Sequence, residues 1–230
     1  MVMKSFKREK IEQPVHIVMG NVTLEGDLTI PDGPKGIVLF AHGSGSSRKS
    51  PRNRYVASVL NKSKFATLLF DLLTPEEETI DIQTRHLRFD IELLSMRLVG
   101  ATDWLGKNKE VKDLNVGYFG ASTGAAAALV AAVERADIVH AVVSRGGRPD
   151  LAGKVLPSVQ SPTLLIVGGD DPVVIDINRG AMEQIRVEKK LVIVPGASHL
   201  FEEPGALEKV AELAADWFTR YIKCSGISKL

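Results

Sequence analysis

The stretch Val116-Gly117-Tyr118-Phe119-Gly120-Ala121-Ser122-Thr123-Gly124 decides the fold prediction. Its first four residues predict a short buried strand, and the alanine-rich segment at residues 125–135 predicts a helix directly after it. The Gly-x-Ser-x-Gly turn between them has the form of a nucleophile elbow. In such a turn the glycines permit a tight, strained backbone that lifts a serine hydroxyl above the sheet. Ser122 is therefore the candidate nucleophile.

Further apolar runs on both sides of this motif predict a parallel sheet. They do not alternate in polarity, as expected for strands buried on both faces, and the periodic segments between them suit helical crossovers. The runs cover residues 37–41, 66–70, 138–143, 163–167 and 191–194. Amphipathic periodicity predicts helices over residues 84–105 and 206–222. The fold class is therefore α/β, with helices on both faces of a mostly parallel sheet.

The N-terminal region predicts an antiparallel edge hairpin before the parallel strands. Apolar and polar residues alternate over residues 22–30, which is typical of a strand with one solvated face. Gly20-Asn21 supplies a tight turn from a preceding strand at residues 15–19. We interpret residues 1–14 as an N-terminal extension. No linker-like segment divides the chain, so residues 1–230 are expected to form a single domain.

Composition and charge exclude several classes of protein. The chain has 230 residues, of which 44% are hydrophobic and 25% charged, an ordinary globular composition. A formal net charge of +1 gives no overall attraction to nucleic acid or to an anionic membrane. No apolar run is long enough to span a bilayer or to form a signal peptide. The single cysteine, Cys224, excludes an intramolecular disulfide and a zinc quartet. We expect a cytoplasmic protein without nucleic-acid or membrane partners, and its oligomeric state is not predicted.

Two motifs after later strands supply the partners that a serine nucleophile needs. Pro195-Gly196-Ala197-Ser198-His199 places a histidine after the last predicted strand, and Gly168-Gly169-Asp170-Asp171 offers two acids after the preceding strand. The carboxyl ends of parallel strands meet at one edge of a sheet, where ligands bind in open α/β folds. Ser122, the histidine and one of the aspartates are therefore predicted to form a catalytic triad. The order serine, acid, histidine is typical of α/β-hydrolases.

The loop Ala41-His42-Gly43-Ser44-Gly45 follows the first parallel strand and predicts an oxyanion hole. In this architecture one backbone N–H comes from this loop and another from the residue after the nucleophile, so Ser44 and Thr123 are the candidate donors. The glycines beside Ser44 allow close approach of the backbone to a substrate. His42 is interpreted as a structural residue at the strand end, not as a second base.

Taken together, the motifs resemble those of the α/β-hydrolase superfamily and, more narrowly, the dienelactone hydrolase-like family. The serine elbow, the His-Gly-Ser-Gly loop, Gly-x-x-Asp after a strand and Ser-His-Leu-Phe after the last strand carry the resemblance, which extends from about Pro14. It includes hydrolase modules that elsewhere occur joined to phosphoribosyltransferase domains. The family pattern maps the acid to Asp171 in preference to Asp170. Dienelactone hydrolases in the strict sense use cysteine in the elbow, so this chain is a serine nucleophile variant.

The resemblance implies hydrolysis of carboxylic esters or lactones through an acyl-enzyme. No cofactor is expected because the chain lacks a dinucleotide fingerprint and a phosphate loop, and no metal is expected because it lacks a His-Glu-x-x-His motif. An acyltransferase or peptidase with the same triad remains an alternative. A catalytically inactive hydrolase scaffold that binds a small ligand or a partner is another. Only a short helix, at residues 151–156, fits between the strands at 138–143 and 163–167, so no cap domain is expected.

Two arginines after a central strand suggest a substrate-binding role. Arg145 and Arg148 follow residues 138–143 and would reach the edge where the triad opens, so an anionic ester or lactone is a candidate substrate. The oxyanion loop is followed by three more arginines that could face the same mouth, Arg48, Arg52 and Arg54. The alternative is that these side chains pair with acids such as Asp150 or Glu76-Glu77-Glu78. We interpret the three adjacent glutamates as a solvated loop.

Overall fold

The computed structural model of the protein describes residues 11–223, and these form an eight-stranded sheet with helices on both faces. The strands are β1 (Ile11–Met19), β2 (Val22–Ile30), β3 (Gly36–Ala41), β4 (Phe65–Phe70), β5 (Val116–Ala121), β6 (Val139–Arg145), β7 (Thr163–Gly168) and β8 (Lys189–Val194). Their order across the sheet is β1-β2-β4-β3-β5-β6-β7-β8. The β1–β2 and β2–β4 pairs are antiparallel and the other pairs are parallel. The predicted α/β fold with an antiparallel edge hairpin is confirmed.

Helices cover the two faces of this sheet. They are α1 (Pro51–Lys62), α2 (Pro75–Thr84), α3 (Ile91–Leu105), α4 (Thr123–Glu134), α5 (Pro172–Gln184) and α6 (Ala206–Tyr221), with 3₁₀ segments at Leu87–Phe89 and Pro149–Ser158. Successive strand residues point to opposite faces, so Val142 of β6 belongs to the core formed with α3 and α4, whereas Val143 belongs to the core formed with α1 and α6. Burial on both faces explains why the central strands read as unbroken apolar runs.

Strand register brings the loops that carry the candidate site to one level. Ala121 at the end of β5 pairs with Arg145 at the end of β6, and Arg145 pairs with Ile166 of β7. Gly168 at the end of β7 pairs with Val194 at the end of β8. Because these strands are parallel, the residues that follow them emerge together at the carboxyl edge of the sheet.

The predicted helix over residues 84–105 was wrong in its first part. Helix α2 ends at Thr84, where Arg85 adopts a left-handed backbone with φ of 58°. Helix α3 starts only at Ile91, because the carboxylate of Asp90 accepts the Leu93 N–H at 3.0 Å and caps a new helix. The apolar spacing had continued across a turn that breaks the helix.

The interpretation of residues 76–78 as a solvated loop was also wrong. They form the first turn of α2, where the hydroxyl of Thr74 accepts the Glu77 N–H at 3.2 Å. The Glu77 carboxylate accepts the Thr74 N–H at 2.8 Å in return, which completes a capping box. Pro75 at the first helical position was the further signal in the sequence.

The boundaries of the chain segments differ slightly from expectation. Strand β1 begins at Ile11, so residues 11–14 belong to the sheet and not to an extension. Residues 1–10 and Cys224 lie outside the described residues, and the single-domain assignment stays a prediction. The 3₁₀ segment Pro149–Ser158 occupies the place of the predicted short helix, and the described residues contain no cap domain. None of the helices in residues 11–223 is long and apolar enough to cross a membrane.

Candidate active site

The turn between β5 and α4 holds Ser122 in a strained conformation. Its backbone has φ of 50° and ψ of −120°, a region that a residue with a side chain rarely adopts and that costs on the order of 1–3 kcal/mol. The flanking glycines are required by close packing. A Cβ on Gly120 would lie 2.4 Å from the Cα of Ala125, and one on Gly124 would lie 2.2 Å from the carbonyl oxygen of Ala41. The turn therefore has the geometry expected of a nucleophile elbow.

His199 lies in the loop after β8 and is oriented by Asp171, which follows β7. The distance from His199 Nδ1 to Asp171 Oδ2 is 2.7 Å, and the two side chains are 41% and 17% exposed. A carboxylate at Nδ1 keeps the proton on that nitrogen and leaves Nε2 as the basic atom. Asp170 is exposed instead, and its backbone N–H donates to the carbonyl of Ala197 at 3.0 Å.

The elbow and the histidine loop meet across the end of β6. The Ser122 N–H donates to the carbonyl of Arg145 at 3.2 Å, and the next residue, Gly146, packs against the histidine. A Cβ on Gly146 would lie 3.5 Å from His199 Cε1 and 3.2 Å from the His199 carbonyl oxygen. In the described part of the chain no hydrogen bond joins the Ser122 hydroxyl to His199. Such bonds are often completed only in the substrate complex.

The predicted oxyanion donors are also neighbours. Gly43 lies against the elbow, since a Cβ there would be 3.0 Å from Ser122 Cβ. The hydroxyls of Ser44 and Thr123 are 3.2 Å apart and link the two segments whose backbone N–H groups were assigned to the oxyanion hole. Thr123 is also the first residue of α4, so the positive end of the helix dipole lies at the same place.

His42 is held as a neutral structural residue. It is 8% exposed, and burial lowers its pKa. Its Nδ1 lies 3.0 Å from the carbonyl oxygen of Gly43, and its Nε2 accepts the Leu72 N–H at 3.1 Å. Only the tautomer with the proton on Nδ1 satisfies both contacts. His42 thus joins the loops after β3 and β4, in agreement with the structural role predicted for it.

Most of the arginines near the edge have acidic partners. Arg148 makes two hydrogen bonds to Asp150, at 2.9 Å and 2.7 Å. Arg48 contacts Asp71 and Glu25, Arg52 pairs with Glu202 at 2.8 Å, and Arg54 is exposed on α1. For Arg148, Arg48 and Arg52 the structure therefore has the ion pairs that were the alternative to substrate binding.

Arg145 is different because its guanidinium is buried and unpaired. The residue is 8% exposed, and its Nε and Nη1 have no hydrogen-bond partner within residues 11–223. Burial, together with the charge of Arg52, lowers the pKa of Arg145 to about 10.

Sequence reasoning missed the residues that shape the histidine loop. The carboxylate of Glu203 accepts the Ser198 N–H at 3.0 Å. Hydrogen bonding from the side chain of Ser198, and then from its backbone, lowers the pKa of Glu203. Phe201 is 1% exposed and has a φ of 57°, so it is strained as well as buried. The short spacing from Ser198 to Glu203 was the one available signal, since nothing in the sequence marks Phe201 as having positive φ.

Sequence reasoning also missed Arg88, which borders the oxyanion loop. The buried carboxylate of Asp81 accepts the Leu87 N–H at 2.8 Å and the Arg88 N–H at 3.2 Å, and it contacts Arg88 Nε. Burial would raise the pKa of Asp81, but these contacts with Arg88 and Leu87 lower it. Arg88 Nη1 is directed at Gly45, where a Cβ would lie 3.2 Å away. This contact links positions far apart in the chain, and no local motif predicts it.

A cleft lies beside the oxyanion loop on the β4 side of Ser122. It has a volume of about 460 Å³ and is lined mainly by residues 45–51, Asp71 and residues 73–75. A smaller crevice lined by Ser44 and Thr123 shares Gly45 and Leu73 with this cleft. The two spaces therefore adjoin each other at the oxyanion loop. Within residues 11–223 no cluster of three or more His, Cys, Asp or Glu side chains can hold a metal ion.

The fold and the arrangement of the elbow, the acid–histidine pair and the oxyanion loop define an α/β-hydrolase. The chain belongs to the dienelactone hydrolase family, whose sequence profile matches residues 24–224. The crystal structure of a dienelactone hydrolase from Anabaena variabilis is 64% identical, with a TM-score of 0.92. The match covers 94% of this chain and 100% of that one.

Other matches extend the comparison. Two strains of Mycobacterium tuberculosis have proteins, provisionally named phosphoribosyl transferases, that are 59% identical over 94% of this chain. The chain spans about half the length of these curated relatives, since the match covers 48% of each. Est1E from Butyrivibrio proteoclasticus shares the fold at 17% identity, with a TM-score of 0.75 over 90% of this chain and 98% of that one.

Proposed function

We propose that the protein hydrolyses carboxylic esters or lactones, with Ser122 as nucleophile, His199 as general base and acid, and Asp171 as the orienting acid. The observation that carries this proposal is the 2.7 Å contact between His199 Nδ1 and Asp171 Oδ2 at the edge where the strained Ser122 emerges. A catalytically inactive scaffold would not require an oriented acid–histidine pair beside a strained serine.

The proposed chemistry follows from these positions. Ser122 Oγ attacks the carbonyl carbon while His199 Nε2 takes its proton, and the N–H groups of Ser44 and Thr123 donate to the developing oxyanion. The C–O bond then breaks, and His199 returns the proton to the leaving alkoxide. In the second half, His199 deprotonates a water that attacks the acyl carbon, and Ser122 leaves with that proton. For a lactone the leaving alkoxide stays attached to the acyl group.

A fluorophosphonate probe tests whether the serine is a working nucleophile. Intact mass should show one adduct on the wild-type protein and none on Ser122→Ala. Ser58→Ala is the matched control, because Ser58 is exposed on α1 and its hydroxyl only donates to the Tyr55 carbonyl at 2.7 Å. Labelling of Ser122→Ala would refute the assignment of the nucleophile. No labelling of the wild type would refute the proposed activity and favour a catalytically inactive scaffold that binds a ligand or partner.

Substrate competition separates hydrolysis from the other uses of an acyl-enzyme. Matched p-nitrophenyl esters and p-nitroanilides of the same short acids distinguish an esterase from a peptidase. Adding an alcohol or amine and measuring the transfer product distinguishes hydrolysis from acyl transfer. We expect ester and lactone turnover to free acid, because the cleft beside the oxyanion donors is open to water. Faster turnover of the anilides would identify a peptidase.

We further propose that the preferred ester or lactone carries an anionic group, with Arg145 as the substrate-binding arginine. Its unpaired guanidinium supports this role, whereas Arg148 is already held by Asp150 and serves as the comparison. The ratio of kcat/KM for a dicarboxylic half-ester to that for its neutral diester should fall about ten- to a hundredfold in Arg145→Gln. It should stay near the wild-type value in Arg148→Gln. Equal ratios in all three proteins would remove the proposal.

A further inference from the structure

Two arginines, Arg145 and Arg52, lie near the histidine loop, on the face of the sheet that α1 and α6 cover. Arg145 lies on the same side of β6 as Ala141 and Val143, which pack into the core with α1 and α6. Its Nε and Nη1 are buried and make no hydrogen bond to any residue in the part of the chain that the structure describes. A buried guanidinium with unused donors is unfavourable unless an acceptor of opposite charge completes it.

Arg52 adds a second charge at the same place. It stands in the first turn of α1, and its Nε is also buried without a partner. Its Nη1 pairs with Glu202, the neighbour of Phe201, whose ring packs near Gly146, the residue after Arg145. The electrostatic influence of Arg52 on Arg145 agrees with this chain of contacts.

Arg52 also lies beside the N-terminus of α1, where the Ser50 hydroxyl already accepts one N–H group, that of Asn53, at 3.4 Å. Helices usually place acidic residues in the first turn, where they meet the positive end of the helix dipole. Helix α1 has 12 residues and no acidic residue in that turn, and it has Arg52 there instead. Asn53 Oδ1 is buried without a partner nearby on α1, but an amide oxygen carries no charge and cannot compensate two guanidinium groups.

We propose that Arg145 and Arg52, beside the N-terminus of α1, form a binding site for one small oxyanion, of the phosphate or carboxylate class. The oxyanion would accept from the unused Nε and Nη1 of Arg145 and from the unused Nε of Arg52, and its charge would compensate that of Arg145. Glu202 holds Arg52 from the outer side and would compete weakly with the anion, since it is 63% exposed. The anion can be free in solution or can be the charged end of a substrate. Only the second source rests on the proposed function.

Inorganic phosphate is the probe for the site itself. Thermal unfolding at constant ionic strength should show the melting temperature rising by about 5–10 °C when phosphate reaches about 100 times its Kd. Arg145→Met should lose this response, and without phosphate it should melt at or above the wild-type temperature, because a buried unpaired charge is gone. Arg52→Gln should weaken the response, and Glu202→Gln should strengthen it. Arg179→Gln is the control, since Arg179 is an exposed residue of α5 paired only with Asp176.

The outcomes separate the site from the proposed function. The site would be overturned if the wild type shows no phosphate response, or if Arg145→Met and Arg52→Gln both respond as strongly as the wild type. If Arg145→Met does not fold, the phosphate-dependent rise in melting temperature still tests the site, because it should be smaller in Arg52→Gln and larger in Glu202→Gln than in the wild type. With hydrolysis as readout, phosphate that raises KM for a half-ester but not for a neutral ester identifies the substrate as the source of the anion. A rise in melting temperature with phosphate but without such competition identifies a free anion as the ligand. The proposed anion site would then hold even if the protein has no hydrolase activity.

Discussion

Replacing Asp171 with asparagine tests the orientation of His199, the proposed general base. The carboxylate lies 2.7 Å from His199 Nδ1, and an amide at that position can present an N–H group to the ring and stabilise the wrong tautomer. In a serine triad this change lowers kcat by about 10⁴, equivalent to about 5.4 kcal/mol at 1.36 kcal/mol per factor of ten. The His199 side chain is 41% exposed, so water replaces part of the lost bond and we expect a loss of about 10³–10⁴.

The assay compares Asp171→Asn with Asp170→Asn on one short p-nitrophenyl ester. Asp170 is the matched control because it is adjacent, exposed and contributes its backbone N–H to the loop, which the substitution keeps. Asp170→Asn should retain kcat within a few-fold of wild type. Ser122→Ala and His199→Ala set the lower limit, near a 10⁶-fold loss. The reasoning is refuted if Asp170→Asn costs more than Asp171→Asn.

Three further changes test the surrounding structure. His42→Gln should make the free energy of unfolding less dependent on pH under acidic conditions. Burial lowers the pKa of His42, so below about pH 6.5 the unfolded chain binds a proton that the folded protein does not bind. Urea titrations of the wild type should show the free energy of unfolding falling by up to about 1.4 kcal/mol per pH unit, and His86→Gln, at an exposed position, is the control. Lys64 has a φ of 70°, so Lys64→Gly should raise the free energy of unfolding by about 1 kcal/mol whereas Lys64→Ala should not, and equal values for the two would contradict a backbone origin. With no cap domain in the described residues, hydrolysis of short esters should rise smoothly with concentration, and a sharp increase above the critical micelle concentration would contradict an open site.

The parts of the site that sequence could predict are those that chemistry imposes on short segments. A strained elbow needs small residues beside Ser122, so its glycines stand in a readable pattern next to a strand. The loops with Asp171 and His199 follow apolar runs directly, and parallel topology alone brings such loops to one edge. Their order along the chain therefore carried most of the information about the site.

What could not be predicted depends on contacts between distant segments. The burial of Arg145 follows from the packing of its side chain between β6 and the layer of α1 and α6. The contact of Arg88 with Gly45 requires the fold of the whole α2–α3 connection. The error at the start of α3 has a different cause. Asp90 is a recognisable N-cap residue in the sequence, but the apolar periodicity continues across it and predicts one longer helix.

The sheet order also leaves two edge strands in the described part of the chain. Among the described residues, β1 and β8 have a neighbouring strand on one side only, so each presents backbone groups that another chain can pair with. Both carry residues that discourage such pairing: Pro14 interrupts the donors of β1, and Lys189 and Lys190 place charges on β8. Neutral β-branched residues at these two lysines would leave the fold intact and turn β8 into a template for intermolecular strand addition.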